Sequence, residues 1–169
     1  MKSSPTIIQW GPSVATASPV FPDGKPQTGR GELIQLSCGT MEDVFFAPAG
    51  DVGVDRAAVC LQPGLVVVVL EGLGTICGVE SQRSWSVPLC PIMGLRSIPD
   101  ALLAWSYTNL ASISAEAILL TDRLVCDSLE ILSVSKNGSI KAKGWLHGQD
   151  AKLVITPRDF IERRTLRAP

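Results

Sequence analysis

The chain has one histidine, His147, set in Gly144-Trp145-Leu146-His147-Gly148-Gln149-Asp150 with a carboxylate three residues on and many serines elsewhere. A hydrolytic triad needs a nucleophile held on a defined turn and an oxyanion site, and neither a G-x-S-x-G elbow nor a papain-like cysteine context is present. A thiol–imidazole pair using Cys126 or Cys90 is open to any chain with five cysteines and one histidine, so it singles nothing out. No residue is therefore expected to be catalytic. The aromatic resource is richer: Trp105 and Tyr107 share one face if Trp105-Ser106-Tyr107 is a strand, giving a core wedge or an exposed stripe. Trp105, Tyr107, Trp145 and His147 form the set of expected binding residues.

Other chemistry finds less support. The valine run ending in Gly72-Leu73-Gly74-Thr75-Ile76-Cys77-Gly78 invites comparison with a strand entering a dinucleotide-binding loop. However, Cys77 stands where the third glycine should fall, and Val79 to Pro91 holds two prolines where a phosphate-binding helix should start. A tight turn or bulge between two strands is the expectation there. Asp122, Asp127 and Glu130, like Glu42-Asp43 and Asp51/Asp55, lack the alternating oxygen ligands around a glycine that calcium loops need. Asp127 is expected to accept backbone N–H bonds at a turn. The five cysteines show no C-x-x-C spacing and lie in or beside apolar stretches, so buried, reduced thiols are expected, with no metal and no cofactor.

The elements that must position these residues read as strands. Ile34, Leu36 and Cys38 alternate with Leu33, Gln35 and Ser37, the period of a half-buried strand. Short apolar runs at 44–46, 57–61, 65–70, 102–107, 129–134, 140–143 and 153–156 are bounded by turn residues. Lys136-Asn137-Gly138-Ser139 suits a hairpin with a type I′ turn. Segment 115–127 has good helix formers but no clean 3.6 period, and strand-turn-strand is the reading adopted.

The run Leu65–Cys77 also opens a repeat. Leu73, Thr75 and Ile76 find counterparts 37 residues on in Leu110, Ser112 and Ile113, while Cys90, Leu95, Ser97 and Ile98 find theirs 36 on in Cys126, Ile131, Ser133 and Val134. One deleted residue near Ser81 accounts for the difference. A period near 37 suggests stacked meanders of the propeller-blade kind.

With 46% hydrophobic and 18% charged residues, the chain of 169 is long enough for a proper core. Residues 1–30, rich in Pro, Gly and Ser, are expected as an extended arm with a short strand at Ile7 to Trp10 and a turn at Pro22-Asp23-Gly24. Residues 31–169 are expected as a single β-rich domain. The tail from Phe160 to Arg167 is read as a solvated, slightly basic end. Fifteen Lys and Arg against sixteen Asp and Glu give no field to attract nucleic acid or an anionic membrane. No signal peptide or membrane span is visible, so a soluble, cytoplasmic protein is expected.

Thr108-Asn109-Leu110, Asp127-Ser128-Leu129-Glu130-Ile131 and Lys143-Gly144-Trp145, within residues 102–156, resemble segments of small uncharacterised bacterial β-rich proteins. That resemblance implies a β-rich fold and a bacterial source, and no activity. The fold expected is all-β, of repeated antiparallel meanders, with a β-sandwich as the alternative. The function expected is a non-catalytic binding or protein-interaction module, an immunity-type toxin blocker being one form of it, with a protein partner or self-association. The alternative is an enzyme whose site assembles from dispersed residues.

Overall fold

A computed structural model describes residues 6–14, 30–122, 124 and 126–165. The chain divides into two compact units, Met1–Cys90 and Pro91–Pro169. The first holds β1 (Thr6–Val14), β2 (Gly31–Cys38), β3 (Met41–Pro48), β4 (Arg56–Gln62), β5 (Leu65–Leu70), β6 (Leu73–Gly78) and β7 (Arg83–Ser86). The second holds β8 (Gly94–Ile98), β9 (Ala101–Trp105), β10 (Leu110–Ile113), β11 (Ala117–Thr121), β12 (Ser128–Val134), β13 (Ile140–Leu146), β14 (Gln149–Ile155) and β15 (Phe160–Thr165). A single 3₁₀ turn at Pro157–Asp159 is the only helical element among the described residues. None of these residues forms a helix long and apolar enough to cross a membrane.

All strand pairings are antiparallel, as expected, and three of the four sheets are meanders in chain order, while in the fourth β15 returns to pair with β11. In the first unit, β1-β2-β3 faces β4-β5-β6-β7 across a core of Ile34, Leu36, Phe45, Ala47, Val66, Val68, Cys77 and Val79. Every residue of β5 is buried, which is why its sequence is a continuous apolar run where β2 alternates. Residues 6–14 of the expected arm are thus an edge strand, and Trp10 packs against this core under the Arg56 guanidinium, 4.9 Å from its ring. Arg56 also pairs with the buried Glu32, which joins β4 of one sheet to β2 of the other. The turn expected at Pro22-Asp23-Gly24 lies outside the described residues.

In the second unit, β15-β11-β10-β9-β8 faces β12-β13-β14. Leu103 and Leu110 of the larger sheet meet Leu129, Ile131, Ile140, Ala142 and Ile155 of the smaller. Residues 117–121 are strand β11, so the good helix formers of segment 115–127 yielded to sheet pairing on both sides, with β10 and with β15. Phe160–Thr165, part of the expected tail, pairs along β11 as the edge strand of this sheet.

The turns depart from their dipeptide signals. Gly138 donates to the Ser135 carbonyl, and of Asn137 and Gly138 only the glycine has positive φ, +80°. That geometry is a type I turn followed by a left-handed glycine, not type I′, which needs positive φ at both central residues. The two-residue loops with positive φ at both positions are Glu71-Gly72 and His147-Gly148. After Gly72 the chain continues as β6 rather than as a helix, the tight turn expected at the glycine-rich loop.

Of the residues paired by the expected repeat, Leu73, Thr75 and Ile76 lie on β6 and Leu110, Ser112 and Ile113 on β10. Leu95, Ser97 and Ile98 lie on β8 and Ile131, Ser133 and Val134 on β12, while Cys90 and Cys126 lie between strands. β6 is third in a four-stranded sheet and β10 is central in a five-stranded one, while β8 lies at the edge of that five-stranded sheet and β12 at the edge of a three-stranded one, so the sheets are not copies of one blade. The β6–β7 connection, residues 79–82, is one residue longer than the β10–β11 connection, residues 114–116. The expected equivalence of Leu95 and Ile131 as inward positions is not met. Ile98 packs against the core of its unit, so Leu95, three residues away and of opposite parity, lies on the other face of β8, while Ile131 is in the core itself. A bulge at Leu132 shifts the register of β12 after Ile131, and β8 has no such shift.

Candidate functional site

The outward face of the β12-β13-β14 sheet is a small grid set by register. Ser128, Trp145 and Asp150 form one row, Glu130, Lys143 and Lys152 the next, and Ser133, Lys141 and Val154 the third, with the bulged Leu132 beside it. The alternate positions Leu129, Ile131, Ile140, Ala142, Gly144 and Ile155 are buried, so period two leaves the other set outside. Three large apolar side chains are thereby exposed on one face: Leu132 at 51%, Trp145 at 46% and Val154 at 67%. Lys143 bonds Asp150 at 2.9 Å across the β13–β14 pair, and that carboxylate's hydrogen bond and charge raise the Lys143 pKa. Both side chains are half exposed, so the pair adds little stability and its effect is to fix where the charges sit.

Gly144 sits under this face for a steric reason. A Cβ there would come within 2.9 Å of the Cys126 Cβ and 3.0 Å of a Leu153 methyl, so only glycine lets β13 approach the 126–127 segment so closely. That approach builds the end of the sheet. The Asp127 N–H donates to the Trp145 carbonyl at 2.6 Å, and the His147 N–H donates to Asp127 Oδ2 at 3.4 Å. The Cys126 thiol donates to the Tyr107 carbonyl at 3.7 Å. Tyr107, 42% exposed, lies in the 106–109 loop, where the Ser106 N–H donates to the Asn109 carbonyl. Asn109 in turn donates to the Thr121 carbonyl at 3.3 Å.

Of the four binding residues expected from sequence, the hydrogen bonds of this sheet end link Tyr107, Trp145 and His147. Trp105 is apart from them, packed against the core of its unit with its ring over Gly94. Its strand ends at Trp105, so the alternation that would have put it on one stripe with Tyr107 does not carry through Ser106. His147 meets Asp127 through its backbone only in this contact, and its place in the turn, with φ +49°, presents the ring at an exposed corner. Burial, then the nearby Asp127 charge, pushes the Cys126 thiol up in pKa, which keeps it protonated and weakly nucleophilic. The backbone N–H that Asp127 accepts comes from His147, 20 residues on, and not from the nearby backbone that was expected.

Sequence reasoning missed a groove in the same unit, about 350 Å3 in volume, between the β8–β9 turn and the β12–β13 hairpin. Arg96, Ser97, Ile98 and Pro99 line one side, and Val134, Ser135, Lys136 and Gly138 the other. The one trace of it in the sequence is the repeat, which matches Ile98 with Val134. Among the described residues no three His, Cys, Asp or Glu side chains converge as a metal site. Comparison with protein-family models, with curated proteins and with solved structures finds no match to this chain.

Proposed function

We propose that the chain is a non-catalytic protein-interaction module that engages its partner through the outer face of β12-β13-β14. The observation carrying this reading is the exposure of Leu132, Trp145 and Val154 on one sheet face, with Tyr107 exposed in the loop tied to the sheet's end. Tryptophan and tyrosine supply large contact area at low entropic cost and are enriched among residues that dominate interface energies. Lys141, Lys143 and Lys152 outnumber Glu130 and Asp150 on the grid, which favours a partner surface with acidic groups. An immunity-type blocker, which occludes a toxin without chemistry of its own, is one form of such a module. Exposed free thiols at Cys60 and Cys90 suit a reducing compartment such as the cytoplasm.

The test is a pull-down from the source organism with the wild type and the surface variants Trp145→Ala and Val154→Glu, each verified as folded by circular dichroism. The module reading expects a discrete protein retained by the wild type and lost from both variants. A partner retained equally by all three would place the interface elsewhere.

A further inference from the structure

The groove between the β8–β9 turn and the β12–β13 hairpin is a second site, separate from the exposed sheet face, and its lining states a ligand chemistry. Its rims carry two cations, Arg96 and Lys136, brought from segments 40 residues apart in sequence, and no carboxylate stands among its lining residues. The Arg96 guanidinium donates one N–H to the Leu132 carbonyl at 3.1 Å, a carbonyl at the β12 bulge. That bond fixes the plane of the fork and leaves its remaining N–H groups for a ligand. On the opposite rim, the Ser135 hydroxyl is held within its own turn by the Asn137 side chain and by the Ser139 carbonyl at 2.8 Å, which steadies the loop that carries Lys136. Ile98, Pro99 and Val134 supply an apolar wall.

We propose that this groove binds a phosphomonoester carried on a small apolar body. A phosphomonoester has about −1.5 to −2 charge at neutral pH and three acceptor oxygens, which the Arg96 guanidinium and the Lys136 ammonium match in both charge and donors. A carboxylate carries a single charge and would leave one cation uncompensated. The volume lies at the lower end of the range for small-ligand sites, roughly 300–1,000 Å3, enough for a phosphate and a ring or short aliphatic group.

Phenyl phosphate is the direct probe, with benzoate as the singly charged control, titrated into isotope-labelled full chain and followed by amide chemical shifts. Saturable shifts concentrated at residues 96–99 and 134–138 are expected, with benzoate at least tenfold weaker. Binding should fall several-fold from pH 7.5 to 5.5 as the phosphate takes its second proton, near pH 6, whereas benzoate should not change. Lys136→Gln, on an exposed turn, should weaken phenyl phosphate at least tenfold without altering the rest of the spectrum. A phosphoserine peptide binding tighter than phenyl phosphate would assign the group to a protein chain, and the reverse to a small metabolite. The proposal is overturned by absence of saturable shifts, by shifts outside the groove, by equal binding of benzoate, or by full affinity in Lys136→Gln.

Discussion

Ile131 and Leu95 provide the sharpest test of how the second unit is built, because the repeat pairs them while the strand faces separate them. Ile131 is 7% exposed among Leu129, Ile140, Ala142 and Ile155, whereas Leu95 is partly buried on the opposite face of β8 from Ile98. Truncating Ile131 to alanine removes three carbons, about 2.5 kcal/mol of transfer free energy at ~0.8 kcal/mol each. A cavity that the surrounding strands only partly refill adds about 1 kcal/mol, for a total of roughly 3.5 kcal/mol. Leu95→Ala loses a side chain already in part solvated and leaves no closed cavity, so about 1 kcal/mol is expected. Leu132→Ala, at the exposed bulge, should stay within about 0.5 kcal/mol. Urea denaturation of the three variants, followed by tryptophan fluorescence, gives the comparison from shifts in midpoint at constant slope. Equal losses at Leu95 and Ile131 would refute the assignment of faces to β8 and with it the placement of Arg96 and Ile98 at the groove.

Further outcomes follow from burial and close approach. Cys60 and Cys90 should react rapidly with a thiol reagent in the folded protein, and Cys38, Cys77 and Cys126 slowly, since only the first two are exposed. Burial and the nearby Asp43 charge push the Cys77 pKa up to about 12, so Cys77 should remain inert even at mildly alkaline pH, and five thiols should titrate after denaturation without reductant. Gly94→Ala should destabilise the second unit by about 1–3 kcal/mol, measured by thermal unfolding, because the new Cβ would fall 2.2 Å from the Trp105 ring.

The strand class was legible because apolar runs of four to eight residues end at glycine, proline or Asx residues, and because Ile34, Leu36 and Cys38 alternate as a sheet requires. The outward placement of Trp145 was not read from the sequence, where the run stopped at 143, although the same period, with Ile140, Ala142 and Gly144 on the inner face, sets it. The turn types were not legible: the bulge at Leu132 and the five-residue connection at 135–139 displaced the two-residue loop that Asn137-Gly138 suggests, while His147-Gly148 adopted it without the favoured first residue. Trp105 packs as the core wedge the sequence allowed, but shares no face with Tyr107 because the strand ends at Trp105, which an alternation pattern does not reveal. The groove escaped because its two rims, residues 96–99 and 134–138, meet only through sheet packing.

The proposed interaction face is tested most directly by site-specific photo-crosslinking in cells of the source organism, with the photoreactive residue placed in turn at Trp145, at Val154 and at the exposed control position Val52 of the first unit. A discrete crosslinked species should form from positions 145 and 154 and be absent from position 52. Crosslinking from position 52 alone, or none from 145 and 154 while a partner still co-purifies, would contradict the outer face of β12-β13-β14 as the binding surface.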